Sequence, residues 1–145
     1  MNGEVLQSFD SIISELPELR LLSEAVESVN DLEQAFERVF TCSEARSAKG
    51  IVYFFLSARP VPRVRSESRV LYIGKSNQSL SSRYGRYSKR LASGASGAFY
   101  SYVVDRFGPL SFAYISSSDP KADEAIYFRK YRQIHMEFPP KSKIG

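Results

Sequence analysis

The stretch that decides the fold is GIVYFFLS (50–57) and RVLYIGKS (69–76), followed directly by SLSSRYGRY (79–87). Continuous apolar runs of this length, rich in β-branched and aromatic residues, predict two strands that are buried on both faces. Each run carries one tyrosine near its middle, Tyr53 and Tyr72. Each predicted strand therefore places a phenol in an otherwise apolar run.

An arginine-rich segment separates the two runs. It contains Pro60 and Pro62, and because proline cannot donate to a strand ladder, residues 57–69 are predicted to project as a basic loop. Two interpretations are open, a finger that contacts phosphates and a solvated hairpin tip. The arginines of the segment are Arg59, Arg63, Arg65 and Arg69.

Downstream of these strands the apolar spacing changes to a helical period. It predicts a helix over 79–92, a second over 98–107, a third strand over 110–115 and a final helix over 120–135. Asp119-Pro120 supplies the N-cap and the first residue of the final helix. The apolar residues of the first of these helices are Leu80, Tyr84, Tyr87 and Leu91.

The residues before Gly50 are predicted to be helical as well. Their apolar side chains recur at helical spacing with acidic residues between them, which predicts helices over 3–16 and 18–29 and a third that ends at Phe40. Asn30 with Glu33 is the predicted capping pair of the third helix. We interpret these helices as a lid or docking element, with partner binding as the alternative.

Charge is distributed unevenly along the chain. Residues 1–49 hold ten acidic and four basic side chains, a net charge of −6, whereas residues 50–145 hold six acidic and sixteen basic ones, a net charge of +10. A basic surface favours a polyanion such as DNA, and a solubilising charge pattern is the alternative. We therefore divide the chain into an acidic helical segment, 1–49, and a basic domain, 50–145.

Composition excludes several classes of protein. A single cysteine, Cys42, excludes an internal disulfide framework, and together with the single histidine, His135, it cannot form a zinc site of thiolate and imidazole ligands. Any metal must be a hard cation bound by oxygen. The chain has no apolar run of about 18 residues and no signal-peptide pattern, which predicts an intracellular protein, cytoplasmic or nucleoid-associated.

Three common catalytic motifs do not fit the sequence. Gly74-Lys75-Ser76 resembles the end of a P-loop, but the glycine required five residues before it is Arg69. His135 has no orienting acid nearby, which argues against a serine or cysteine nucleophile. The acidic residues of 119–124 include neighbours that point about 100° apart on a helix, so at most one faces a given site, and a two-metal site is not expected.

Two tyrosines, an arginine with a tyrosine four residues later, and a lone carboxylate remain. Arg83 and Tyr87 are i, i+4 neighbours and project from the same face of a helix. Such a set fits phosphodiester hydrolysis, in which arginine binds the phosphate, a phenol positions or deprotonates water, and a carboxylate holds one Mg²⁺. A free tyrosine has a pKa near ~10, so a role as base requires nearby cations, for which Lys75 and Arg83 are candidates.

From Gly50 onward the chain resembles the GIY-YIG nuclease family. Tyr72-Ile73-Gly74-Lys75 matches the second half of the family motif, and Leu80, Arg83 and Tyr87 follow at the family's spacing. The resemblance implies an α/β (α+β) fold with a small three-stranded antiparallel sheet flanked by helices, preceded here by the N-terminal helical segment. It also implies a Mg²⁺-dependent DNA endonuclease, with Mn²⁺ as an alternative metal and double-stranded DNA as the expected partner.

The resemblance assigns a role to each residue. Tyr53 would activate the attacking water, Tyr72 would position or assist it, and Arg83 would bind the phosphate. Tyr87 would transfer a proton, and Glu124 would be the Mg²⁺ ligand. The predicted substrate-binding residues are Lys75, Arg59, Arg63, Arg65, Arg69 and Arg86.

The first half of the motif departs from the family pattern. It reads Gly50-Ile51-Val52-Tyr53, one residue longer than G-I-Y, and the two tyrosines are further apart than is usual. The asparagine that many members carry after the last helix is absent. These departures leave open a GIY-YIG-like module that binds nucleic acid with weak or no turnover. A protein-interaction domain that uses the N-terminal helices is a third interpretation, and the choice between monomer and homodimer stays open.

Overall fold

The computed structural model describes residues 8–141. The fold is mixed α+β, with one antiparallel sheet between two layers of helices, which confirms the predicted fold class. The elements in chain order are α1 (Phe9–Ser14), β1 (Arg20–Leu21), α2 (Leu32–Thr41), α3 (Ser43–Ser47), β2 (Ile51–Pro62), β3 (Glu67–Ser76), α4 (Leu80–Tyr84), α5 (Ser88–Leu91), α6 (Gly94–Phe107), β4 (Leu110–Ser116) and α7 (Pro120–His135).

The sheet has four strands, and the prediction of three is wrong. Its order is β1-β4-β2-β3, and all neighbouring strands are antiparallel. The additional strand β1 comes from the N-terminal segment, where Arg20 pairs with Tyr114 and Leu21 with Ala113. The N-terminal segment therefore contributes to the same sheet as the basic part, and the division at residue 49 stays a prediction.

The helix predicted over 18–29 does not form. Leu22 and Val26 are buried, but in an extended segment that follows the edge of β4. The Leu22 N–H donates to the carbonyl of Phe112 (2.8 Å), and Val26 exchanges two hydrogen bonds with Leu110 (3.0 and 2.8 Å). These bonds to a distant strand satisfy backbone groups that a helix would satisfy internally.

Two further helix predictions need correction, and one is confirmed. The helix predicted over 79–92 is divided at Gly85 into α4 and α5, as expected of a residue with low helix propensity. The N-cap of α2 is Asp31, not Asn30. Helix α7 forms as predicted, and the Asp119 side chain accepts a hydrogen bond from the Ala122 N–H (3.2 Å). Part of the helix predicted over 3–16 lies outside the described residues.

The segment between the two tyrosine-bearing runs is mostly strand, so the loop predicted there is limited to the hairpin tip. Val61 lies opposite Ser68, and Pro62 lies opposite Glu67. Pairing of β2 with β4 ends at Ser57, and beyond this residue β2 is paired on one side only. Proline is tolerated there because the N–H it lacks is not needed on the unpaired side.

The sheet has a separate apolar core on each face. The tyrosine face, as we call it, carries Ile51, Tyr53 and Phe55 of β2 and is covered by helices α2 to α6. The α7 face carries the alternate residues of β2 and is covered by α1 and α7. Among the described helices, none has the length and apolar character needed to cross a membrane.

Candidate functional site

The pairing of β2 with β3 forms the base of the candidate site. Tyr53 lies opposite Gly74, and Phe55 lies opposite Tyr72, so these side chains belong to the tyrosine face. The Tyr53 ring lies across the neighbouring strand, and a Cβ atom added at Gly74 would overlap this ring. The glycine of the YIGK sequence is therefore required by the packing of the first tyrosine.

Tyr84, which was predicted only as part of the apolar face of a helix, completes this arrangement. Its Oη lies 2.6 Å from the Oη of Tyr53, a hydrogen bond in which either hydroxyl can be the donor. The two side chains are 6% and 1% exposed, respectively. The spacing from Leu80 predicted that Tyr84 points inward, but its hydroxyl partner lies 31 residues away in the chain and has no local signal.

Burial controls the acidity of both phenols. It raises the pKa of Tyr53 and of Tyr84 well above the ordinary value for tyrosine. For Tyr53 the neighbouring Tyr72 raises the pKa further, while the hydrogen bond with Tyr84 and the charge of Arg83 oppose the rise. A role as base requires nearby cations to lower the pKa of Tyr53, and the net direction is the opposite. Tyr53 is therefore a neutral phenol at physiological pH.

A cavity of about 280 Å³ lies beside Tyr72 on the tyrosine face. Two further predicted site residues, Arg83 and Tyr87, line it. None of its lining residues, all in the described part of the chain, is acidic, and three of them are lysine or arginine. The remaining lining residues are Phe55, Tyr84, Arg90, Leu91, Ser96, Tyr100 and Lys141.

Arg83 and Tyr87 reach the cavity from either side of a turn, not from one helix face as predicted. The Arg83 guanidinium lies 4.9 Å from the ring centroid of Tyr84. Tyr87 is the N-cap residue of α5, and the Arg90 guanidinium lies 5.8 Å from its ring centroid. Arg86 lies in the turn between α4 and α5 and is exposed. Two cations therefore lie over phenol rings at this cavity.

Glu124 approaches the sheet from the other side. It belongs to α7, on the α7 face, and it is not a lining residue of the cavity. Burial raises the pKa of its carboxyl, and the charge of Lys75 opposes this rise. Lys75 lies opposite Val52 in the ladder and therefore shares the α7 face. The charge of Glu124 in turn adds slightly to the rise in the Tyr53 pKa.

Glu124 is the predicted ligand of Mg²⁺. Within residues 8–141 no group of three or more His, Cys, Asp or Glu side chains is arranged to bind a metal ion. The adjacent Asp123 accepts a hydrogen bond from the Ser117 hydroxyl (2.6 Å). A single carboxylate suits Mg²⁺ because this ion keeps several waters and also takes phosphate oxygens of a substrate. Glu124 is therefore a carboxylate of the kind that this ion takes, and it lies outside the cavity lining.

Two of the hairpin arginines bind backbone carbonyls of their own chain. Arg59 donates to the carbonyl of Arg106, and Arg69 donates to the carbonyl of Ser57. Both hydrogen bonds are 2.7 Å long. The first bond attaches β2 to the end of α6, and the second crosses from β3 to β2. Both side chains therefore stabilise the base of the hairpin, and their predicted contact with substrate stays a prediction.

The other two hairpin arginines attach the tip to the end of α7. Arg63 forms an ion pair with Glu137 (2.7 Å) and donates to the carbonyl of Phe138 (2.7 Å). Arg65 donates to two carbonyls in the last turn of α7. Carbonyls at a helix C-terminus lack intrahelical partners, and a cation there is also favoured by the helix dipole. The tip is therefore held against α7.

His135 is a structural residue in the same region. It is fully buried, its Nε2 accepts a hydrogen bond from the Phe9 N–H (3.2 Å), and its Nδ1 lies 3.0 Å from the carbonyl of Arg65. The Phe9 bond requires Nε2 to be unprotonated, so Nδ1 carries the proton and donates to the carbonyl. The ring therefore connects α1, the hairpin tip and α7, and it lies away from the cavity.

The chain was compared with protein families, curated proteins and solved structures. No protein-family model and no curated protein matches the chain. Among solved structures, the restriction endonuclease HPY188I in complex with product DNA aligns over 98% of this chain and 94% of that chain, at 14% identity and a TM-score of 0.34. A TM-score of this size does not show a shared fold. The resemblance to the GIY-YIG family therefore stays a prediction based on the motif residues.

Proposed function

We propose that this chain is a Mg²⁺-dependent DNA endonuclease that hydrolyses phosphodiester bonds. The observation that supports the proposal best is the cavity beside Tyr72, whose lining combines three cationic side chains with several phenols. Such a lining favours an anionic phosphate, since arginine and lysine form charge-assisted hydrogen bonds with phosphate oxygens. The motif Tyr72-Ile73-Gly74-Lys75, with Arg83 and Tyr87 at the spacing of GIY-YIG nucleases, supports the reaction class.

Each residue of the site has a role in this proposal. Arg83 binds the phosphate and stabilises the negative charge that develops in the transition state. Tyr72, half-buried in the cavity wall, positions the attacking water, and Tyr87 exchanges a proton with the leaving oxygen. Tyr53 is a neutral buried phenol bonded to Tyr84, so we assign it to positioning and not to deprotonation of water.

The metal belongs to Glu124 in this proposal. When bound, Mg²⁺ supplies positive charge to the non-bridging phosphate oxygens. The carboxyl of Glu124 must lose its proton to bind the ion, and burial raises its pKa. We therefore expect activity to fall on acidification at a higher pH than the pKa of an ordinary glutamate would predict. Lys75 limits this effect because its charge favours the carboxylate.

Incubation with supercoiled plasmid, in Mg²⁺ and then in EDTA, tests the proposal. We expect nicked or linear product in Mg²⁺ alone, and its loss in Glu124→Gln, which keeps the shape of the side chain without the charge. Asp105→Asn removes an exposed carboxylate on α6 and is the matched control, expected to cleave at the parent rate. Parent-like cleavage by Glu124→Gln would refute the metal assignment, and equal cleavage in EDTA would refute metal dependence.

A nucleic-acid-binding module with weak or no turnover is the second candidate. The observation that favours it is the position of Glu124 outside the cavity lining, together with the burial of Tyr53. This candidate predicts DNA binding that weakens steeply with salt, because each phosphate contact releases counterions, but no product in Mg²⁺. Fluorescence anisotropy at two salt concentrations, run beside the plasmid assay, distinguishes it from the nuclease.

A further inference from the structure

The cavity has features that the nuclease motif does not require. Arg90 and Lys141 belong to neither the motif nor its spacing, yet both line the cavity beside Arg83. Lys141 is held there by two contacts: its N–H donates to the carbonyl of Leu71 (2.9 Å), and its Nζ lies 5.6 Å from the ring centroid of Phe99. The site therefore carries more positive charge than one phosphate clamp needs.

The same cavity has an aromatic lining. Five of its lining residues are aromatic, and they range from buried rings in the interior to Tyr87, which is 40% exposed. Of these rings, the half-buried Tyr72 and the exposed Tyr87 offer surface on which a nucleobase can stack, a contact that does not depend on the identity of the base. The five are Phe55, Tyr72, Tyr84, Tyr87 and Tyr100.

The size of the cavity also points beyond a phosphate ion. Its volume of about 280 Å³ is close to the lower end of the ~300 to 1,000 Å³ that small-molecule sites occupy. Ser96, in the first turn of α6, lies in the same lining, so the positive end of this helix dipole borders the cavity. The charge, the aromatic surface and the size of the cavity all favour a ligand with one phosphate and one ring system.

We propose that this cavity holds one unstacked nucleotide of the substrate. Its phosphate lies among Arg83, Arg90 and Lys141, and its base packs against Tyr72 and Tyr87. The cavity of about 280 Å³ has room for one nucleotide but not for a base pair, so the nucleotide must be single-stranded, terminal or flipped out. The inference deepens the proposed nuclease function and rests on it: the preferred substrate is DNA with an unpaired nucleotide.

Binding of 2-aminopurine deoxyribonucleoside 5′-monophosphate in EDTA tests this inference. We expect its fluorescence to be quenched on binding, because the base stacks on tyrosine rings. Arg90→Gln and Lys141→Gln should each weaken binding about tenfold, the effect of one lost charge-assisted hydrogen bond. Arg129→Gln, an exposed cation on the α7 face, is the matched control and should bind as the parent does. Circular dichroism verifies that each variant is folded.

Two results would overturn the inference. One is the absence of quenching, or quenching to which Arg90→Gln and Lys141→Gln make no difference. The other is displacement of the probe by inorganic phosphate as effectively as by deoxyadenosine monophosphate, since this shows that only the phosphate is bound.

The plasmid assay separates this inference from the proposed nuclease. Cleavage of plasmid without nucleotide binding would contradict the nucleotide site and support the proposed nuclease. Quenching in EDTA without cleavage in Mg²⁺ would support the nucleotide site and contradict the proposed nuclease activity. A duplex with one mismatch should be cut faster than its fully paired equivalent, and equal rates would contradict the substrate preference.

Discussion

The two faces of the sheet differ in what their polar side chains bind. On the α7 face they bind one another and the backbone: Asp10 accepts from the Ser68 hydroxyl (2.6 Å) and from the Arg69 N–H (2.8 Å), and His135 connects two backbone groups. On the tyrosine face the cations lie over phenol rings and border a cavity. The polar groups around Asp10 and His135 therefore hold the fold on the α7 face, whereas on the tyrosine face three cationic side chains border a cavity.

This difference shows that a basic sequence need not form one basic surface. The four hairpin arginines were predicted as one group, and all four donate to groups of their own chain. Arg90 and Lys141, which the sequence analysis did not select, line the cavity. Net charge predicts affinity for a polyanion, but the partners of each side chain decide which cations are available to it.

The largest expected effect concerns the tyrosine face. Arg83→Gln should lower the initial rate of plasmid cleavage by about 10²–10³-fold, because a preorganised group that stabilises transition-state charge is lost. Arg83 is exposed and contacts the protein through the Tyr84 ring, so the melting temperature should stay close to that of the parent. Arg129→Gln, on the α7 face, controls for loss of one positive charge. A parent-like rate in Arg83→Gln would contradict the proposed role of this arginine in binding the phosphate.

The next effect concerns the α7 face and should appear in stability. His135→Ala leaves the Phe9 N–H and the Arg65 carbonyl without their partner in the interior, which should cost about 3 kcal/mol of unfolding free energy. Urea denaturation measures this loss, and Gln133→Ala, exposed in the same helix turn, is the control. An unchanged urea midpoint would show that the histidine does not hold α1, the hairpin and α7 together.

The parts of the fold that could be predicted have local signals. Helix α7 follows from Asp119-Pro120 and from apolar spacing, and β2 and β3 follow from their apolar runs. Strand β1 has only two residues and exists because β4 presents a free edge to it. Its sequence has helical spacing, so no local pattern could have shown the strand.

The candidate site also has parts with a local sequence signal and parts without one. The motif predicted that Tyr72, Arg83 and Tyr87 come together, and all three line one cavity even though the predicted helix is interrupted. The bond between Tyr53 and Tyr84 joins residues on different elements, and its effect on acidity depends on burial, which a sequence does not state. The position of Glu124 relative to the cavity depends on how α7 packs, which is also non-local.

The third prediction tests the contact between the strands on the tyrosine face. Gly74→Ala places a methyl group in the space occupied by the Tyr53 ring, and overpacking of this kind costs about 1–3 kcal/mol. Replacement of the ring should remove the overlap, so Gly74→Ala combined with Tyr53→Leu should show positive coupling in a double-mutant cycle. Strict additivity of the two changes in urea denaturation would mean that the ring does not fix this glycine.

The fourth prediction compares tyrosines of the two faces in alkali. Burial raises the pKa of Tyr84 on the tyrosine face and raises that of Tyr131 on the α7 face to about 12. Above pH ~10 the unfolded chain releases these protons while the folded chain keeps them, so each group lowers stability by about 1.4 kcal/mol per pH unit until its folded pKa is reached.

Phenylalanine at either position removes this contribution. Stability of Tyr84→Phe and of Tyr131→Phe, measured by urea denaturation from pH 8 to 11, should therefore decline less steeply than that of the parent. Tyr102→Phe, more than half exposed, is the control and should leave the slope unchanged. A parent-like slope in both buried variants would show that these phenols ionise freely in the folded state.

The smallest effect separates function from stability at a single residue. Burial raises the pKa of the Glu124 carboxyl above its unfolded value, so its contribution is full below that unfolded pKa and is lost as pH rises through the folded one. At neutral pH the charged carboxylate is therefore slightly unfavourable to folding, and Glu124→Gln should raise the melting temperature a little while it abolishes cleavage.

The gain should disappear below pH ~4, where the parent carboxyl is protonated in both states. Differential scanning calorimetry at pH 7 and pH 3.5 measures both values. A lower melting temperature in Glu124→Gln at pH 7 would mean that the carboxylate stabilises the fold, as the polar groups around Asp10 do.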